Sequence, residues 1–130
     1  MNQLDIKCLV SSNQTEGKVS VFQEVVAAKS GPPLHTHEKQ LEIFHVITGH
    51  IQFELGGERI DVFAGGTATI PPGVPHAFIN KSDEESIIHF ELLPSGSSEE
   101  FFEKLVSGRF SDLPQFFEEH DLKLLGPPIE

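Results

Sequence analysis

Ile51-Gln-Phe-Glu-Leu55, Gly56-Gly57, Arg59-Ile-Asp-Val-Phe63 is the stretch that decides the fold class. In its first run Ile51, Phe53 and Leu55 alternate with Gln52 and Glu54. Successive side chains of a strand leave opposite faces, so this alternation describes a strand with one buried side. Gly56-Gly57 then joins two runs of the same kind. Glycine enters the φ > 0 region without steric cost, as a two-residue hairpin turn demands. Working outward, further runs predict strands at Lys18–Val26, Glu42–Ile47, Thr67–Ile70, His76–Ile79 and Ile87–Leu92. Gly65-Gly66 and Pro71-Pro-Gly73 mark turns between them. Short strands punctuated by Gly and Pro predict an all-β sandwich or barrel.

After Pro94 the pattern changes. Ser97-x-x-Glu100 has the form of a capping box, and Phe101, Phe102, Leu105 and Val106 recur on one helical face. Gly108 is a plausible stop. Asp112-x-x-Gln115 opens a second short helix, with Pro114 in the first turn where a missing N–H costs little. A single domain over 1–130 is expected, with a barrel over about 17–94 and a helical tail over 97–130. The 130 residues leave little room for a second core.

Charge and composition narrow the function classes. Nine Lys and Arg against twenty Asp and Glu give a net charge of −11. A chain this acidic repels phosphate backbones and anionic lipid, so neither nucleic acid nor membrane is an expected partner. The start, Met1 to Lys7, lacks the basic and apolar regions of a secretory signal, and Cys8 is the only cysteine. Both favour a cytoplasmic setting. All eleven aromatic residues are Phe. Proton transfer through a Tyr hydroxyl is therefore ruled out, as is sugar stacking on Tyr or Trp.

His35, His37, Glu42 and His76 form the constellation that carries chemistry. His35 and His37, two apart on a strand, project from one face. Glu42 has an odd offset from His37, which the polar Glu38-Lys39-Gln40 can correct by a bend. From there Glu42, Phe44 and Val46 share a face, so the carboxylate heads an apolar inner surface. His76 follows the Pro71-Pro-Gly-Val-Pro75 turn. If both segments lie in one barrel, three neutral imidazoles and one carboxylate meet. That set suits one divalent transition metal: Fe, Mn, Co, Ni, Cu and Zn all accept it. Mg²⁺ and Ca²⁺ prefer oxygen donors.

The combined spacing resembles the cupins. It runs His35-x-His37, four residues, Glu42, six residues, Gly49; then Gly65, five residues, Pro71-x-Gly73, two residues, His76, three residues, Asn80. These runs are similar to the first and second motifs of that family. In one departure, three residues separate Gly31 from the His pair where five are usual. Pro32-Pro-Leu-His-Thr-His37, Gly49-His-Ile-Gln-Phe53, Pro75-His-Ala-Phe-Ile-Asn80, the exit from Pro94-x-Gly96 to Phe101-Phe102 and Leu125-Gly-Pro-Pro128 resemble the small bacterial cupins grouped with quercetin 2,3-dioxygenase. The resemblance implies a double-stranded β-helix, or jelly-roll barrel, usually dimeric. It implies a metal held by His35, His37, Glu42 and His76. It does not fix the reaction, since cupins include dioxygenases, isomerases, cyclases, decarboxylases and non-catalytic binders.

The leading expectation is a dioxygenase resembling quercetinase. It would act on a small hydrophobic enol or hydroxyketone, with Glu42 as catalytic base. Isomerisation, cyclisation or decarboxylation at the same residues is the alternative, as is small-molecule binding without turnover. Phe44, Phe53, Phe78, His89 and Phe90 are expected in the substrate pocket, His89 as an acid or base. His45 falls out of phase with Glu42 and should face away, while His50 and His120 read as surface. Asn80 reads as a strand-end hydrogen bonder. The Phe pairs at 101–102 and 116–117 are expected to pack the tail onto the barrel. A homodimer is expected, because exposed sheet edges gain by pairing.

Overall fold

A computed structural model describes residues 4–129. Ten strands form two five-stranded antiparallel sheets, with three short helices. The first sheet contains β1 (Asp5–Val10), β2 (Ser20–Val26), β9 (Ser86–Leu93), β4 (Leu41–Val46) and β7 (Thr67–Ile70), in that spatial order. The second contains β10 (Leu122–Pro128), β3 (Pro33–His37), β8 (His76–Asn80), β5 (His50–Leu55) and β6 (Glu58–Phe63). Their inner faces enclose the core. No helix among the described residues is long and apolar enough to cross a membrane.

Strict alternation builds the core. In β2, Ser20, Phe22, Glu24 and Val26 point inward while their neighbours are half-buried. Across β2, β9 and β4 one rung aligns Phe22, Phe90 and Phe44. Phe22 and Phe90 stack at 5.2 Å between ring centres, and Phe44 lies 5.1 Å from Phe53 of the facing sheet. Each buried ring contributes roughly 2–3 kcal/mol through removal from water. The β5–β6 hairpin turns through Gly56 and Gly57 at φ 56° and 92°. Two successive positive φ angles match the twist of the flanking strands, as the quoted stretch predicts.

Three strands, β1, β3 and β10, lie outside the runs expected from alternation. β1 precedes the expected barrel, and β10 occupies a tail expected to be helical. β1 is shallowly buried, so its alternation carries little apolar contrast. β10 contains Gly126, Pro127 and Pro128, residues that ordinarily break strands, but it lies at a sheet edge where a missing N–H is tolerated. The barrel thus extends beyond 17–94 on both sides; residues 1–3 and 130 of the expected domain lie outside the described residues.

The expected helices are α2 (Ser98–Ser107) and α3 (Leu113–Glu118), after a single-turn α1 (Ser12–Thr15). Asp112 caps α3 by accepting from Gln115 N at 3.2 Å, and Gly108 ends α2 at φ 70°. The capping box at Ser97 does not form. Ser97 Oγ instead meets His120 Nδ1 at 2.7 Å, and Glu100 pairs with Lys104 at 2.6 Å. Glu99 anchors α2 by accepting from Ser12 N and Ser20 Oγ, each at 2.7 Å.

The loop between β2 and β3 sets the entry to the site. Asn80 is wholly buried and donates to Val26 O and Glu84 O at 3.1 and 2.8 Å. Gly31 then passes so close to β8 that an added Cβ would lie 1.8 Å from Phe78 O. This is a close-approach glycine, four positions before His35. Gly31→Ala is expected to destabilise the fold by about 2 kcal/mol or more, the cost of forced overpacking against rigid backbone. An unchanged urea midpoint would refute the close approach.

Candidate metal centre

His35, His37 and Glu42 line a cavity between the sheets, and His76 packs against them from beneath its lining. β3 presents His35 and His37 on one face, and His35 pairs in register with His76 of β8. The ring centres of His35 and His76 are 4.4 Å apart, and His37 lies 5.3 and 5.5 Å from them. One ring nitrogen from each of the three falls within 4.8 Å of the others. Glu42 comes in from the opposite sheet, with Oε1 3.1 Å from His76 Nε2 and 3.4 Å from His37 Nε2.

Gln40 supplies the bend that brings Glu42 round. It is buried, and its Nε2 donates to Pro94 O and Ser95 O at 2.8 and 2.9 Å. Its Oε1 therefore faces His37 Nδ1, at 3.4 Å. The other two imidazoles are oriented by backbone: His35 Nδ1 donates to Pro33 O at 2.7 Å and His76 Nδ1 to Val74 O at 2.9 Å. With Nδ1 committed outward, each ring offers Nε2 inward. Such partners fix the tautomer of a metal-ligating histidine.

Protonation follows from this wiring. Burial pushes His35 down to about 3, helped by the neighbouring His76 and His37, so it is neutral at neutral pH. Burial also lowers His37, against the pull of Glu42. Burial opposes charge on His76 too, but the hydrogen bond and charge of Glu42 outweigh it and raise its pKa. Burial would raise Glu42, yet His37 and His76 hold it below the usual carboxylate range. His76 and Glu42 thus form a buried hydrogen-bonded pair, Nε2 to Oε1 at 3.1 Å. The donors fit a divalent transition metal: three imidazole nitrogens lie within 4.8 Å of one another, with the Glu42 carboxylate against two of them.

The cavity above these groups measures about 190 Å³. Phe44, Phe78 and Phe90 line it. Two expected wall residues do not. Phe53 is 0% exposed and packs beneath Phe44 and Phe78, wholly within the core. His89 lies on the outer face of β9, where it pairs with His45 in register and bonds Gln23 Oε1 at 3.0 Å. Strand pairing settles the phase that the sequence left open. His45 likewise faces outward, 2.6 Å from Glu91.

Sequence reasoning missed two contributors. The tail supplies part of the wall: Phe101, Phe102 and Leu105 of α2 with Leu113 and Phe117 of α3. Phe117 meets the edge of His35 at 6.0 Å between ring centres. The second is Glu24, on the inner face of β2 and only 9% exposed. It lines the cavity, and no described residue hydrogen-bonds or ion-pairs with its carboxyl. Burial, with the charges of Glu42 and Asp5, pushes it up to about 8. Its signal was present as an acid in phase with Ser20, Phe22 and Val26.

Residues 22–92 match the family described as "Cupin domain", more than half of the chain. The chain belongs to the cupin family, and its two sheets form the double-stranded β-helix of that family. A curated relative, "Probable oxidoreductase virH" of Hypocrea virens, is 34% identical over 80 residues, which span 59% of this chain and 36% of that protein. "Quercetin 2,3-dioxygenase" of Bacillus subtilis is a distant homologue, 32% identical over 60 residues that cover 46% of this chain and 18% of the dioxygenase. The matches thus cover well under two thirds of these relatives' lengths. A structure described as a predicted oxalate decarboxylase from Thermotoga maritima superposes with TM-score 0.67 at 20% identity, covering 70% of this chain and 80% of that one. At that identity the likeness concerns the fold.

Proposed function

We propose that this cupin is a metal-dependent enzyme acting on a compact, largely apolar molecule, by dioxygenase chemistry of the quercetinase kind. The observation that carries the reading is the Glu42 carboxylate, set against His37 and His76 of a three-histidine cluster beside an apolar cavity. The homology to an oxidoreductase and to a quercetin dioxygenase supports it. No Lys or Arg lines the cavity among the described residues, so a small dianion finds no counter-charge from the walls. At about 190 Å³ the cavity is smaller than the roughly 300–1,000 Å³ of sites for drug-sized ligands. A single-ring enol, hydroxyketone or phenol suits that space.

A divalent transition metal, when bound by His35, His37, Glu42 and His76, would supply Lewis acidity that lowers the pKa of a substrate hydroxyl. The protein's own contributions are separable. Gln40, Pro33 and Val74 hold the imidazole tautomers. Glu42 is the acceptor for the substrate hydroxyl proton, kept ionised by its histidine neighbours. Phe44, Phe78, Phe90 and Phe117 exclude water from the reacting end.

The test is elemental analysis of freshly purified protein, followed by oxygen uptake against a panel of cyclic hydroxyketones, β-diketones and flavonols. Substrate-dependent oxygen consumption is expected, reduced about 10²–10⁴-fold in Glu42→Gln, the usual contribution of a positioned base. Turnover without oxygen uptake would move the assignment to isomerisation, cyclisation or decarboxylation. A metal-free native protein would end it.

A further inference from the structure

Glu24 gives the cavity a second polar end. On the inner face of the first sheet its rung contains Ile88 and Val46, whereas the rung of Glu42 contains Leu92 and Ser20. The two acids therefore sit two strands apart and four residues out of register, with the Phe22–Phe90–Phe44 rung between them. Glu42 has imidazole partners; Glu24 has none among the described residues, and no cationic side chain lines the cavity to neutralise it. A buried carboxyl without a counter-ion rests as the neutral acid, which donates one hydrogen bond and accepts others.

We propose that Glu24 is a specificity-determining residue whose neutral carboxyl hydrogen-bonds an uncharged hydroxyl at the end of the substrate remote from Glu42. This rests on the proposed function for the identity of the reacting end, and it adds the substrate class. The substrate has an oxygen function at one end, an apolar body against Phe44 and Phe90, and a second hydroxyl beyond it. A substrate carboxylate would find no cation there, and an ammonium would require Glu24 to ionise.

Binding to metal-free protein tests this apart from the metal. The probes are 4-ethylphenol, ethylbenzene and 4-methylbenzylamine, titrated by NMR against wild type, Glu24→Gln and Glu24→Leu, with Glu24→Met as a second apolar variant should Leu not fold. Wild type and Glu24→Gln are expected to favour the phenol over ethylbenzene by about tenfold, the worth of one buried hydrogen bond. The Leu or Met variant is expected to lose that preference. Equal ranking in wild type and the apolar variant, or no phenol binding to folded wild type, would overturn the proposal. So would tightest binding of the amine with its loss in Glu24→Gln. Cobalt uptake is measured on the same samples. Failure to take up metal sinks the proposed function and leaves the phenol ranking standing; normal uptake with a flat ranking sinks this inference alone.

Discussion

His35→Ala and His76→Ala are both expected to lose metal, but only His76→Ala should also weaken the metal-free fold strongly. Each removes one nitrogen from a three-imidazole set. Changing a mere supporting partner of a ligand typically costs 10–100-fold in affinity, so deleting a ligand should cost more than about a hundredfold. The difference lies in Glu42. In His35→Ala the carboxylate keeps His76 at 3.1 Å and His37 at 3.4 Å. In His76→Ala it keeps only the longer contact, in a fully buried setting. Removing one partner of a buried ion pair costs about 3–5 kcal/mol because the remaining charge is uncompensated. Elemental analysis and urea denaturation of the two variants separate the effects. Unchanged metal content in either variant would defeat the ligand assignment, and equal midpoints would defeat the Glu42–His76 pair.

Glu24→Gln is expected to stabilise the metal-free protein at pH 8 while leaving it nearly unchanged at pH 5. The folded state raises Glu24 from 4.5 to about 8. Between those limits the native chain holds a proton there that the unfolded chain has released. Stability then falls as pH rises across the window and levels off above about 8. Glutamine cannot ionise and removes that slope. Each pH unit of separation is worth about 1.4 kcal/mol, so the gap should reach a few kcal/mol. Other groups titrate alike in both proteins and cancel in the difference. A wild-type-to-variant gap that stays constant from pH 5 to pH 8 would show that Glu24 does not retain its proton.

The core strands were legible because their chemistry is local. Alternation marks β2, β4, β5 and β9, and paired glycines mark the β5–β6 turn, without reference to the rest of the chain. The donors were legible for a related reason: His35 and His37 share a strand face at any burial, and Gln40 restores the phase of Glu42 within one bend. What was hidden depends on partners far away in sequence. Glu24 is in phase with the buried Phe22 and Val26, but that it lines a cavity depends on the α2 and α3 residues that complete the wall. His89 faces outward only because β9 pairs with β4 in the register that sets it beside His45. Phe53 and Phe44 look alike as apolar strand residues, and the facing sheet decides that one is core and the other wall. β10 escaped notice because Gly126, Pro127 and Pro128 are tolerated only at an edge.

The order in which the segments leave the ribosome gives that last strand another meaning. β3, the ribbon bearing His35 and His37, shares a single register pair with β8 but is matched along its whole length by β10. A nascent polypeptide emerging only as far as Gly108 would possess every donor atom yet lack the rail that straightens them. Pairing of β3 along its full length therefore waits until translation has delivered residues 122–128.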